Sequence, residues 1–329
     1  MDGRLRVGVV GVGSLGYHHA RLLRDLPDVQ LVGIHDIDPA RLRAVAAELG
    51  VPAYGALDPL LDAVRAAVVA VPTSAHEEVA CAALRRGVHV LLEKPIAPTL
   101  AAADRILAAA EETGALVQIG HVERFNGALR ACEPYLDEPL FIESHRLAPF
   151  GPRGTDVPVV LDLMIHDLDL VLSLVRRDVV ELAAVGVPVL TASPDIANAR
   201  IEFEGGGVAN LTASRVSLER LRKLRIFQRS GYIRLDLAAG TGEFLRLRGG
   251  VRFEPGQPLP AQRLEDVIER VPLRGDGVEP LRRELESFVG AVLGRGPVVV
   301  TGRDGRRALA VALAIVERIE RHVARRAVS

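Results

Sequence analysis

Residues 6–16 read RVGVVGVGSLG, and an acidic residue, Asp36, follows twenty positions after Gly16. The apolar run Val7-Gly8-Val9-Val10 predicts a buried strand. Gly11, Gly13 and Gly16 then fall in the G-x-G-x-x-G spacing of a strand-to-helix turn. Each glycine has a separate physical task. Gly11 permits the tight turn, Gly13 lets backbone N–H groups approach a pyrophosphate, and Gly16 lets the helix lie close to the strand. Val12, Ser14 and Leu15 complete the loop, and the helix N-terminus offers partial positive charge to phosphates. The next run, VQLVGIHD, predicts a second strand ending at Asp36, whose carboxylate suits a ribose diol. The stretch predicts binding of a dinucleotide.

Outward from that turn, the first 120 residues alternate. LRVGVVGV, QLVGIHD, AAVVAVP, HVLLEKP and LVQIGH read as strands, separated by helical runs such as HHARLLRDL and SAHEEVACAALRRG. Such alternation predicts a doubly wound parallel sheet. After residue 121 the pattern changes. A helical stretch near Phe125 to Tyr135 leads to the strand FIESHRLA, a Gly/Pro-rich segment (PFGPRGTDVP) and the helix VVLDLMIHDLDLVLSLV. Six runs from VELAAVGVPVL to EFLRLRG then read as strands of one large, mostly antiparallel sheet, and helices near 278–293 and 303–325 close the chain. The fold class is therefore α/β, with a dinucleotide-binding domain at 1–121 and a second, substrate-binding domain at 122–329. At 329 residues two domains are expected, since single cores seldom grow past roughly 250 residues.

The formal net charge of −1 points neither to nucleic acid nor to a membrane surface. No apolar run approaches the roughly 18 residues of a membrane span, and MDGRLRVG enters a strand directly, which predicts a cytoplasmic protein. Cys81 and Cys132 lack CxxC spacing and read as free thiols. Of 41 basic residues only Lys94 and Lys223 are lysines, leaving 39 arginines (41 − 2). A lysine is thus chemically conspicuous here.

Lys94 closes the fourth strand in Glu93-Lys94-Pro95. Ligands of open parallel sheets bind at the carboxyl ends of strands, which places Glu93 and Lys94 beside the cofactor. An ammonium there can hold a substrate hydroxyl and stabilise its alkoxide. The turn AVPTSAH brings Pro72 and Thr73 to the same edge, with His76 at the following helix start; for His76 an ordinary βα turn serves equally well. Asp162 and His166, four apart on one helix, share a face. A carboxylate that fixes the imidazole tautomer makes a suitable general base. Asp167 and Asp169 read as polar or packing neighbours. Arg124 and Asn126, in GHVERFN, are candidate substrate contacts, or else parts of a hinge. Arg215 to Arg229 holds six basic side chains, readable as a phosphate-binding cluster or as a solvated strand edge or oligomer contact. His18 and His19 lack metal-ligand partners and read as structural, so no metal is expected.

On GVGSLG, Asp36, Glu93-Lys94-Pro95 and Asp162-Leu-Met-Ile-His166, nearly the whole chain resembles the family of glucose–fructose oxidoreductase and inositol dehydrogenase. The resemblance implies a Rossmann domain, a C-terminal domain with a large open sheet through which copies pair, and catalysis by Lys94, Asp162 and His166. GHVERFN, DLMIHDLDL and the strands from DIANARIEF to KLRIFQ further resemble the group that oxidises the 3-hydroxyl of UDP-N-acetylglucosamine, supplying a ketone for lipid A synthesis. The basic cluster is compatible with such a diphosphate. Two other readings stay open: a dehydrogenase of a free sugar or cyclitol such as myo-inositol, and a non-catalytic NAD-binding sensor or scaffold. Asp36 would repel a 2′-phosphate, so NAD is expected in preference to NADP, with Arg41 nearby tempering that preference.

Overall fold

The computed structural model describes residues 3–151, 157–249 and 264–327. The chain forms two compact units, one of residues 1–122 with 279–310, the other of 123–278 with 311–329.

The first unit alternates as its sequence predicts: β1 (Leu5–Val10), α1 (Ser14–Arg24), β2 (Val29–His35), α2 (Pro39–Leu49), α3 (Leu57–Ala63), β3 (Ala66–Val69), α4 (His76–Leu84), β4 (His89–Glu93), α5 (Leu100–Thr113) and β5 (Val117–Gly120). The five strands form a parallel sheet in the order β2-β1-β3-β4-β5. Their unbroken apolar runs follow from burial; all four residues of β3 are buried. Helix ends are chemically marked. Asp38 caps α2 by accepting from the Ala40 and Arg41 N–H groups, and Gly50 and Gly114 end α2 and α5 in the left-handed region.

The second unit begins with a 3₁₀ turn at Val122–Phe125, followed by α6 (Gly127–Cys132), β6 (Pro139–Leu147), a π-helical turn at Val160–Met164 and α7 (Ile165–Val175). Strands β7 (Val179–Val187), β8 (Ile196–Phe203), β9 (Val208–Ser214), β10 (Leu221–Gln228), β11 (Gly231–Asp236) and β12 (Thr241–Leu247) follow, then α8 (Leu264–Val267) and β13 (Ile268–Arg274). They make an eight-stranded sheet, β13-β12-β11-β10-β6-β9-β8-β7, antiparallel except between β6 and β9. The alternation of β10 sends Leu224, Ile226 and Gln228 inward and Arg225 and Phe227 outward. The expected large sheet is present, with one strand the sequence does not announce. β13 contains Pro272, which argues against a strand anywhere but an edge, and an edge is where it lies. Of the Gly/Pro-rich segment at 149–158, residues 152–156 lie outside the described residues.

The closing helices, α9 (Pro280–Val292) and α10 (Gly302–Ala327), correct the expected domain boundary. α9 places Leu285, Phe288 and Val289 in the core formed by Val7, Val9, Leu22, Leu23 and Ile34. Gln118 of β5 donates from Nε2 to the Glu284 carbonyl at 3.2 Å, and Arg306 pairs with Asp104 of α5. Residues 279–310 thus complete the first unit rather than the second.

Candidate active site

The turn after β1 is shaped by what its glycines lack. Gly11 has φ +82°, and a Cβ there would meet the Ala70 carbonyl oxygen at 2.7 Å. A Cβ on Gly16 would lie 1.8 Å from the Gly11 oxygen, so α1 rests directly on the loop. Gly13 differs: no atom lies within 4 Å of its absent Cβ. This open cradle stands at the start of α1, which has no side-chain cap and no acid in its first turn. The helix N–H groups are left for an anion from outside. Ser14 and Leu15 are exposed on that turn.

Asp36 closes the loop from the side. Its Oδ2 accepts from the Val12 N–H at 2.7 Å and its Oδ1 from the Asp38 N–H at 2.9 Å. The acid therefore ties the glycine turn to the end of β2 and sets its own direction. Ile37, next to it, is 90% exposed. An open pyrophosphate cradle beside an oriented carboxylate fits a dinucleotide.

The ends of β3 and β4 are joined by His76. Pro72 is exposed and starts the 3₁₀ turn Thr73–Ala75. The buried His76 ring faces the Val71 carbonyl through Nε2 (3.0 Å) and the Pro95 carbonyl through Nδ1 (2.9 Å). Burial pushes its pKa below the ordinary histidine value, against the opposing pull of those carbonyls. Its ring lies between the carbonyls of the two loops, a position that an ordinary βα turn also gives. The Glu93 side chain is likewise directed inward: it is 7% exposed and meets His19 of α1. The half-buried Lys94 follows, with a cis bond to Pro95.

In the second unit, Asp162 lies on the π-helical turn Val160–Met164 and His166 on the first turn of α7; both are half-buried. The expected single α-helix is thus interrupted. A π-turn holds about 4.4 residues, so residues four apart still share a face, and such turns favour functional sites. Around this pair stands a buried ion network. Arg146 of β6 donates to Asp167 from Nε (2.8 Å) and Nη2 (3.0 Å), and to Glu123 from Nη1 (3.0 Å). Although burial opposes its charge, these two carboxylates raise the Arg146 pKa further. Arg222 also reaches Glu123, at 3.4 Å.

Arg124 donates to Asp169 from Nε (2.6 Å) and Nη2 (3.0 Å). Its guanidinium thus has a partner inside the unit. Asn126 is 4% exposed; Oδ1 caps α6 through the Ala128 N–H, and Nδ2 donates to Glu123 and to the Leu237 carbonyl. The structure gives Asn126 a capping role at the start of α6. Asp167 and Asp169, read as packing neighbours, are the anchors of α7.

The basic cluster is dispersed by strand alternation. Arg215 is buried, pairs with Asp195 at 3.7 Å and donates to the Val157 carbonyl at 2.5 Å. Lys223 pairs with Asp236, and Arg225 with Glu143. These pairs, with Arg234–Glu243 and the ring contacts Phe141–Phe227–Tyr232, line the sheet face opposite α7. β10 is an inner strand of the sheet, not an edge, and Arg215, Lys223 and Arg225 each have an acidic partner.

Known proteins align with both units. Residues 5–121 match the model of the oxidoreductase family with an NAD-binding Rossmann fold, and residues 118–234 that of the GFO/IDH/MocA C-terminal domain. The chain is 38% identical over 317 residues to the UDP-N-acetylglucosamine 3-dehydrogenase of Acidithiobacillus ferrooxidans, covering 96% of this chain and 97% of that one. It is 28% identical to the scyllo-inositol 2-dehydrogenase (NAD(+)) of Bacillus subtilis, over 66% of this chain and 69% of the relative. The solved structure of the Acidithiobacillus enzyme, GnnA, superposes with a TM-score of 0.88 at 36% identity, over 96% of this chain and 98% of that one.

Proposed function

The chain belongs to the GFO/IDH/MocA oxidoreductase family and is an NAD-dependent dehydrogenase of CH–OH groups, and from that premise we propose that it oxidises the 3-hydroxyl of UDP-N-acetylglucosamine to the 3-keto sugar. The observation that carries this reading is the full-length likeness to the Acidithiobacillus enzyme.

Gly11, Gly13 and Gly16 hold the cofactor's pyrophosphate against the start of α1, and Asp36 holds the adenosine ribose with Ile37 beside it. Bound NAD supplies the acceptor for the hydrogen and electron pair of the substrate C–H bond. The protein handles the proton and the charge. Lys94 binds the substrate hydroxyl and stabilises the negative charge that develops on its oxygen. His166 takes the hydroxyl proton. Asp162 orients the imidazole and favours its protonated form. The arginine–carboxylate pairs on Asp167 and Asp169 keep α7 from turning. We assign no diphosphate contact to Arg215, Lys223 or Arg225. The sheet face bearing Phe141, Phe227 and Tyr232 is the surface through which copies of the chain associate, and light scattering of the purified protein reads that directly. The site of action is the cytoplasm; among the described residues no helix is long and apolar enough to cross a membrane.

NADH absorbance with purified protein, NAD and each of UDP-N-acetylglucosamine, N-acetylglucosamine, glucose and myo-inositol tests the substrate. Turnover on the UDP sugar alone is expected. Turnover on myo-inositol instead would favour the second reading, a cyclitol dehydrogenase, which the inositol-oxidising relatives support. Lys94→Ala and His166→Ala should each lower turnover by about 100-fold or more while NAD binding persists.

A further inference from the structure

His19 lies on the second turn of α1, fully buried, and its Nε2 meets Glu93 Oε1 at 2.8 Å. The other carboxylate oxygen, Oε2, accepts the backbone N–H of Lys94 at 3.1 Å. Gly120 of β5 leaves the space for this carboxylate: a Cβ there would come within 3.0 Å of Oε2. Three elements thus converge on one buried acid. Burial alone would raise the Glu93 pKa; the hydrogen bond and electrostatic attraction of His19, then the charge and backbone N–H of Lys94, reverse this and hold it below the ordinary glutamate value. His19 Nδ1 is enclosed with no hydrogen-bond partner among the described residues. His19 thus orients one oxygen of the carboxylate, and the backbone N–H of Lys94 holds the other. Glu93 also acts on His76 of α4, whose pKa it pulls upward.

We propose that His19 and Glu93 are positioning residues: His19 holds Glu93 ionised and in place, and Glu93 holds Lys94 as an ammonium at the end of β4. The inference rests on the assignment of Lys94 as the group that stabilises the alkoxide. It gives a function to a histidine otherwise read as structural, and it makes the helix that starts at the glycine turn a support for Lys94.

The composition supplies the test. The chain has two lysines, and Lys223, paired with Asp236 in the other unit, serves as an internal reference. The full-length protein is acetylated over a pH series and the two lysine peptides are followed by mass spectrometry. In Glu93→Gln the pH midpoint for Lys94 modification should fall by about one unit, because a neighbouring carboxylate favours the ammonium, while that of Lys223 stays put. His19→Ala should lower the Lys94 midpoint as well, since a buried carboxylate deprived of its donor takes up a proton. His19→Gln, which keeps an N–H for Glu93, should restore it. Unmoved Lys94 midpoints in folded Glu93→Gln and His19→Ala proteins would overturn the proposal, as would failure of His19→Gln to differ from His19→Ala. Turnover of Lys94→Ala, measured separately, tests the underlying assignment. Near wild-type turnover there, with a shifted midpoint in Glu93→Gln, would leave the charge coupling standing and remove the reaction it serves.

Discussion

The turn after β1 and the helix that carries His166 are both held still, by different means. The turn depends on missing atoms. Gly11 and Gly16 allow a backbone approach that no Cβ would permit, and Gly13 leaves a cradle open. α7 depends on buried charge. Arg124, Arg146 and Arg222 face Glu123, Asp167 and Asp169, three charges against three. Shape built from glycine is insensitive to ionisation and intolerant of added volume. A charge lattice does not tolerate the loss of one member.

The largest effect should come from the lattice. Arg146→Met leaves Glu123 and Asp167 buried without their main partner, and breaking buried pairs costs about 3–5 kcal/mol. Denaturant unfolding should show a loss of that order, and a near-neutral result would mean α7 is held by packing alone. Next is Gly16→Ala. Overpacking costs about 1–3 kcal/mol and falls here on the contact between α1 and its loop. NAD affinity by titration should drop by roughly tenfold or more, with the second unit's unfolding unchanged. Unaltered affinity would break the shape argument. Asp36→Ala separates charge from shape within the turn itself: it should weaken NAD far more than NADP, and an unchanged preference would make Asp36 a mere loop tie.

The smallest effect concerns Asp195. Burial would raise its pKa, but the N–H groups of Leu190, Thr191 and Val189 and the Thr191 hydroxyl pull it down to about 2. A depressed folded-state pKa stabilises above the unfolded value, 3.8, and that contribution is lost as pH falls through about 2. Melting temperatures from pH 5 downward should converge for wild type and Asp195→Asn as the acid limit nears, and parallel curves would show that this carboxylate does not govern the loop.

The glycine turn was legible because its information is local: strand, spacing and acid lie within 36 residues. Asp162 and His166 are equally local in the sequence, but the π-helical turn that carries Asp162 is not announced by it. Arg124 and Asn126 were not legible, because their partners, Asp169 and the Leu237 carbonyl, stand far along the chain. Strand alternation, invisible in a count of basic residues, scattered Arg215, Arg222 and Arg225 into different surroundings. His19 was read as structural because its partner, Glu93, lies 74 positions away.

That residues 279–310 complete the first unit has a consequence in time. A ribosome releases β1 to β5 first, then 156 residues of the other unit (123 to 278), before α9 emerges. At about 5–20 residues per second this interval is roughly 10–30 s. Throughout it, the apolar seat of Leu285, Phe288 and Val289 is uncovered on a nascent chain. The nucleotide-binding unit is thus begun before residues 123–278 are made and completed only after them.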